Sequence, residues 1–134
     1  RCVLSKKILA QKPPLEFRPK KGMVADFNLN PTKGSETGKI RPCIVVTNDI
    51  YNARLSVIQV VPLTEWSEKK SRILTNVTLI NNKTNGLDKK SIADCLQTRP
   101  VDYTKRFVQY RGVITSKNLQ KINDALITIF GLEI

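Results

Sequence analysis

Residues Pro31 to Asn48 read Pro-Thr-Lys-Gly-Ser-Glu-Thr-Gly-Lys-Ile-Arg-Pro-Cys-Ile-Val-Val-Thr-Asn. A polar loop carrying Gly34 and Gly38 ends in the pair Arg41-Pro42, and four apolar residues, Cys43 to Val46, follow at once. The glycines permit backbone angles that other residues avoid, so the loop can fold back or open. Pro42 fixes its own φ and biases Arg41 towards an extended conformation. The apolar run reads as a strand buried on both faces. Arg41 is thereby a placed cation at a strand entrance, beneath a loop able to close over it, which suits a phosphate.

Working outward, strand patterns fall near residues 22–29, 42–47, 56–64 and 73–80, then 91–98 and 107–114. Val57, Ile58, Val60 and Val61 form a β-branched run of the kind buried on both sides. Leu119, Ile122, Ala125, Leu126, Ile129 and Phe130 recur at helical spacing, with Thr115 or Ser116 to cap the start and Gly131 to end it. The stripe reads as core packing. The cluster Asn81 to Gly86 is a turn or loop with no buried signal, expected to be mobile. Residues 1–20 hold Pro13, Pro14 and Pro19 among basic side chains and read as an extended or partly disordered arm, partly foreign to the domain. A short uncapped helix over Val3 to Ala10 is compatible with that arm. Residues 21–134 form one domain, mainly β with a C-terminal helix.

The 134 residues carry 23 Lys and Arg against 11 Asp and Glu, a net charge of +12, and the expected partner is a polyanion or an acidic protein. Half of that excess lies in the first 21 residues and half in the rest of the chain. Cys2, Cys43 and Cys95 are an odd, scattered set without metal-site or disulfide spacing, which points to a reducing cytoplasm. No apolar run approaches the length of a membrane span.

Further phrases give the loop its context. Lys21-Gly22-Met23-Val24-Ala25-Asp26-Phe27 precedes it, and Val60-Val61-Pro62-Leu63-Thr64 follows. Later come Leu87-Asp88-Lys89-Lys90-Ser91-Ile92 and Gln97-Thr98-Arg99. In that order and spacing the chain resembles the MazF/PemK family of toxin endoribonucleases, from about Arg18 to Leu132. The most specific part is Gly34-Ser35-Glu36-x-Gly38-x-x-Arg41-Pro42 with Asn48-Asp49 beyond. The resemblance implies a small SH3-like or CcdB-like barrel of antiparallel strands. It also implies a homodimer, metal-independent cleavage of single-stranded RNA, and inhibition by a cognate antitoxin, for which the basic charge makes an acidic segment apt.

The chain has no histidine, which removes the commonest general acid and base. No carboxylates stand at metal-ligand spacing, so neither a metal nor another cofactor is expected. What remains is phosphoryl transfer driven by positioning and electrostatics, with the RNA 2′-hydroxyl as nucleophile. The products would be a 5′-hydroxyl and a 2′,3′-cyclic or 3′ phosphate. The resemblance puts the catalytic pair on Arg41 and Thr64: a fork of donors for the phosphate, and a hydroxyl to assist it.

RNA-binding candidates are Ser35 and Glu36 in the loop, Asn48 and Asp49 after the second strand, and Gln97 and Arg99. Trp66, with Lys69 and Lys70, is expected in an exposed loop where it could stack a base. Where family members commonly carry an acidic residue before the glutamine matched by Gln97, this chain has Leu96, which bears on RNA sequence preference. Two other readings compete: a CcdB-like gyrase poison, and a basic nucleic-acid-binding module without catalysis. The Arg41-Pro42 pair and Thr64 favour the nuclease, since a gyrase binder needs neither.

Overall fold

The computed structural model describes residues 18–133. Most of the expected arm, the Val3–Ala10 helix and Cys2 lie outside them. Seven strands follow in order: β1 (Met23–Asn28), β2 (Ile40–Val45), β3 (Val57–Glu65), β4 (Asn76–Leu79), β5 (Ser91–Asp94), β6 (Arg99–Asp102) and β7 (Phe107–Val113). Three single-turn helices interrupt them: α1 (Asp49–Asn52), α2 (Glu68–Ser71) and α3 (Tyr103–Arg106). The long helix α4 (Ser116–Phe130) comes last. All pairings are antiparallel, in the order β4-β5-β3-β2-β1-β7, with β6 also on β3. No pairing among the described strands joins β4 to β7, so the barrel-like sheet is not closed.

Strand β3 is the shared member. Its first half pairs β6 from Val57 to Val60, and its second half pairs β5 from Leu63 to Glu65. The register advances by three residues between the two ladders, the length of the 3₁₀ turn Cys95–Gln97. The expected strand over 91–98 is therefore two strands split by a short insertion. That insertion lies opposite Val61 and Pro62. Val46 N donates to Gln59 O at 2.9 Å, so alternation makes Cys43–Pro62 a non-hydrogen-bonded pair of β2 and β3. The missing N–H of Pro62 thus faces the 3₁₀ turn, where a proline costs the ladder nothing.

Both faces of the sheet are buried. One core joins Val24, Ile44, Val61, Leu63, Leu79 and Ala93 to Ile122 and Ala125 of α4. The other holds Ala25, Phe27, Cys43, Val45, Ile58, Val60, Tyr103 and Phe107, where the three rings meet at tilted or edge-on angles. The α4 stripe packs largely as expected, although Phe130 is exposed. Thr115 caps the helix through Asn118 N, and Gly131 ends it at φ 65°. Burial pushes the Cys43 thiol well above its usual range and that of Cys95 up to about 12, which leaves both unreactive. No helix among the described residues is long and apolar enough to cross a membrane.

The Asn81–Gly86 loop differs from its expectation. Asn85 is buried, accepts from Asn82 N and Leu87 N, and donates to Ile80 O. The loop also docks on β7, because two glycines allow the backbones to touch. A Cβ on Gly86 would stand 2.3 Å from Arg111 O, and one on Gly112 would stand 2.1 Å from Thr84 O. Gly112→Ala should accordingly lower the unfolding free energy by about 1–3 kcal/mol, as overpacking against backbone does. Urea denaturation measures this, and wild-type stability would show that the docking is not tight.

Candidate active site

Beyond the pair Cys43–Pro62 the strands β2 and β3 part company. In the same register Arg41 lies opposite Thr64, but β3 has turned to β5, where Thr64 pairs Ile92. The divergence opens a cleft of about 390 Å³ that Arg41 and Thr64 both line. Lys39, Glu65, Asp88, Lys89 and Arg111 complete its charged wall, four basic side chains against two acidic.

Arg41 lies inside β2, one residue past the strand's start, whereas the sequence reading had the strand begin at Pro42. Its Nε donates to Gly38 O at 2.7 Å and its Nη1 to Leu63 O at 3.3 Å. Two of its five donors are thus used, and three remain for a ligand. Among the described residues Arg41 and Lys39 form no ion pair, so the cleft has cationic charge to offer an anion.

The loop above is held by polar contacts. Glu36 Oε1 accepts from Lys33 N at 2.8 Å, and Asn30 Oδ1 accepts from Lys39 N at 2.9 Å. Gln97 reaches across from the 3₁₀ turn, accepting from Thr37 N and donating to Ser35 O. Gly38 serves proximity, since a Cβ there would lie 2.6 Å from Asn30 Oδ1 and 2.7 Å from Thr32 Oγ1. The side chains of Ser35 and Glu36 are exposed. On the loop's other flank, Glu36, Gln97 and Arg99 line a second cleft of about 320 Å³, and Arg99 donates to Leu29 O at 2.8 Å.

Other candidates are placed differently. Asn48 caps α1 through Ile50 N, and Asp49 accepts from Lys21 N at 2.7 Å, which holds its carboxyl below the usual range. Both stand at the far end of β2 from Arg41, on the order of 20 Å along extended chain. Trp66 was expected to be exposed, but it is half-buried, its Nε1 is enclosed without a partner, and Lys90 Nζ lies 4.0 Å over the ring. The loop expected around it contains the helical turn α2. Lys69 and Lys70 belong to that turn, outside the lining of the Arg41 cleft. Among the described residues no three His, Cys, Asp or Glu side chains gather as a metal-binding group.

Sequence reasoning missed the buried ion pair that reaches the cleft wall through Arg111. Asp26 is buried in β1, where its carboxylate accepts from Arg111 Nε and Gln109 Nε2, both at 2.7 Å. Arg111 Nη1 continues to Gly86 O and Asp88 Oδ2, and the Asp26 hydrogen bond raises the arginine's pKa further. The signal was present: one aspartate in an apolar strand, Met23-Val24-Ala25-Asp26-Phe27, requires a buried partner.

Comparison with known proteins identifies the family and the fold. The family described as "PemK-like, MazF-like toxin of type II toxin-antitoxin system" matches residues 20–130. The chain is 30% identical over 113 residues to the endoribonuclease MazF of Staphylococcus saprophyticus, covering 84% of this chain and 92% of that one. MazF from Deinococcus radiodurans superposes with a TM-score of 0.72 at 20% identity, covering 87% of this chain and 99% of the other. A mycobacterial endoribonuclease, solved in complex with its cognate antitoxin, gives 0.67 at 22% identity, covering 87% and 98%. At these identities the two solved structures speak for the fold.

The side chains of Asp26 and Arg111 are 7% and 17% exposed, whereas that of Asp88 is 84% exposed. Asp26→Ala should therefore cost about 3 kcal/mol by stranding a buried guanidinium, while Asp88→Ala should cost less than about 1 kcal/mol. Denaturant titration of both variants separates them, and equal losses would contradict the assignment.

Proposed function

The chain belongs to the PemK-like, MazF-like family of type II toxin-antitoxin toxins and is an endoribonuclease of that family, and we propose that it cuts single-stranded RNA without a metal at the Arg41–Thr64 cleft. The observation that carries this reading is that Arg41 and Thr64 line one cleft where β2 and β3 diverge, in a wall with excess positive charge.

In this mechanism the substrate supplies its own nucleophile. The 2′-oxygen bonds to the adjacent phosphorus and loses its proton, the bond from phosphorus to the 5′-oxygen breaks, and that oxygen takes up a proton. The products are a 2′,3′-cyclic phosphate, open to later hydrolysis to the 3′ phosphate, and a 5′-hydroxyl. Charge builds on the non-bridging oxygens as five bonds crowd the phosphorus. Arg41 meets that charge with its remaining N–H donors, fixed in direction by Gly38 and Leu63. Thr64 donates its hydroxyl to one of the same oxygens. Ser35, Glu36, Gln97 and Arg99 flank the path of the strand on the loop side.

The assembly we propose is a homodimer whose subunits share the RNA groove, with an acidic antitoxin segment as the inhibitor that fills it. The net charge of +12 supports an anionic occupant in both cases. RNA binding should weaken steeply as salt rises, through release of phosphate counterions.

Two experiments test the chemistry. A long single-stranded RNA incubated with the protein in EDTA should be cut, and a strand with 2′-deoxyribose at the scissile nucleotide should resist. Loss of activity in EDTA, or efficient cutting of the deoxy substrate, would sink the mechanism. Arg41→Ala should slow cleavage by about a hundredfold or more, the scale of one lost preorganised donor. Arg41→Lys should restore little, because an ammonium cannot reproduce the fork. A rate within a few-fold of the parent would move the site elsewhere.

A further inference from the structure

Gln97 spends both ends of its amide on backbone some sixty residues away. Its Oε1 accepts from Thr37 N at 3.2 Å and its Nε2 donates to Ser35 O at 3.3 Å. The next residue, Gly38, presents the carbonyl that receives Arg41 Nε at 2.7 Å. Beyond it, Lys39 N is tied to Asn30 Oδ1. The loop is thus held on both sides of Gly38, by Gln97 at Ser35 and Thr37 and by Asn30 at Lys39, and the guanidinium takes its direction from the Gly38–Lys39 peptide between them. Gln97 itself lies in the 3₁₀ turn inserted between β5 and β6, a position fixed by two ladders on β3.

Accepting the reading of Arg41 as the phosphate-binding cation, on which the point rests, we infer that Gln97 is a positioning residue: an amide latch that fixes the loop so that Gly38 aims Arg41 at the phosphate. The latch replaces an apolar anchor in a loop whose residues are mostly polar. It also accounts for Gly38, because a side chain there would push against Asn30 and Thr32 and shift the carbonyl that Arg41 needs. A direct role for Gln97 in reading a base is the competing assignment; it would use the second N–H and second lone pair that the backbone contacts leave, and it predicts a defect in KM rather than in kcat. A fixed guanidinium matters because small misplacement of a catalytic group is costly in rate.

The test uses the full chain, a single-stranded RNA substrate, and the variants Gln97→Ala, Gln97→Glu, Arg41→Ala and the Gln97→Ala/Arg41→Ala double. Gln97→Ala should lower kcat about tenfold or more while KM stays within about twofold, the pattern of a group acting on the transition state. Gln97→Glu retains the acceptor for Thr37 N but sets a carboxylate against Ser35 O, so it should fall similarly. In the Arg41→Ala background the second change should cost less than about twofold, because the group it positions is already gone. Amide exchange at Thr37 should quicken in Gln97→Ala. Multiplying losses in the double variant, a defect confined to KM, or unchanged protection of Thr37 would each overturn the latch. If the parent protein leaves RNA intact, the cleavage reading fails separately, and Thr37 exchange alone decides whether Gln97 holds the loop.

Discussion

The architecture turns on β3, which needs three neighbours and has two edges. One edge belongs to β2, and the other is divided between β6 and β5 with a three-residue insertion at the join. Pro62 sits at that join, where its lack of an N–H is harmless on the insertion side. The same division sends the end of β3 away from β2. Two strands that part no longer pair backbone to backbone, and the gap between them becomes the charged cleft. Fold and site therefore have a single geometric origin.

The cleft is polar on the side where the sheet would otherwise be apolar. Asp26 brings a carboxylate into β1, and Arg111 answers it from β7. Such a pair is weak evidence of stability in itself, since desolvation consumes much of the attraction. Its value is directional. The guanidinium it fixes reaches on to Gly86 O and so ties the docked Asn81–Gly86 loop to the strand that forms the cleft wall. Arg41 is held in a comparable manner, by carbonyls of the loop and of β3. Two arginines face one cavity, one neutralised by a buried partner and the other not.

Much of this was legible in the residues. The β-branched runs of β2 and β3 and the stripe of α4 announce themselves by periodicity, because burial selects for it. The break at Cys95–Gln97 was invisible, since Ser-Ile-Ala-Asp-Cys-Leu-Gln-Thr is acceptable to a strand throughout and only the register on β3 exposes the insertion. The turns α1 and α3 are too short to show a helical period, although Asn48 and Asp102 cap them. Arg41 and Thr64 could be singled out by resemblance, but their proximity comes from two strands that separate, a property of pairing that no local pattern carries. Trp66 was misjudged because charged neighbours suggested exposure, whereas a charge remote in sequence, the Lys90 ammonium, lies over the ring.

Trp66 is the chain's single tryptophan, and this gives the protein a built-in optical probe. Its indole is capped by Lys90, whose neighbour Lys89 lines the Arg41 cleft and pairs with Glu65 across 3.7 Å. A polyanion entering the cleft competes for those lysines, and any withdrawal of Lys90 bares the ring to solvent. Emission intensity and wavelength then report on the cleft wall from one known position, with no label attached and no second indole to confound the signal.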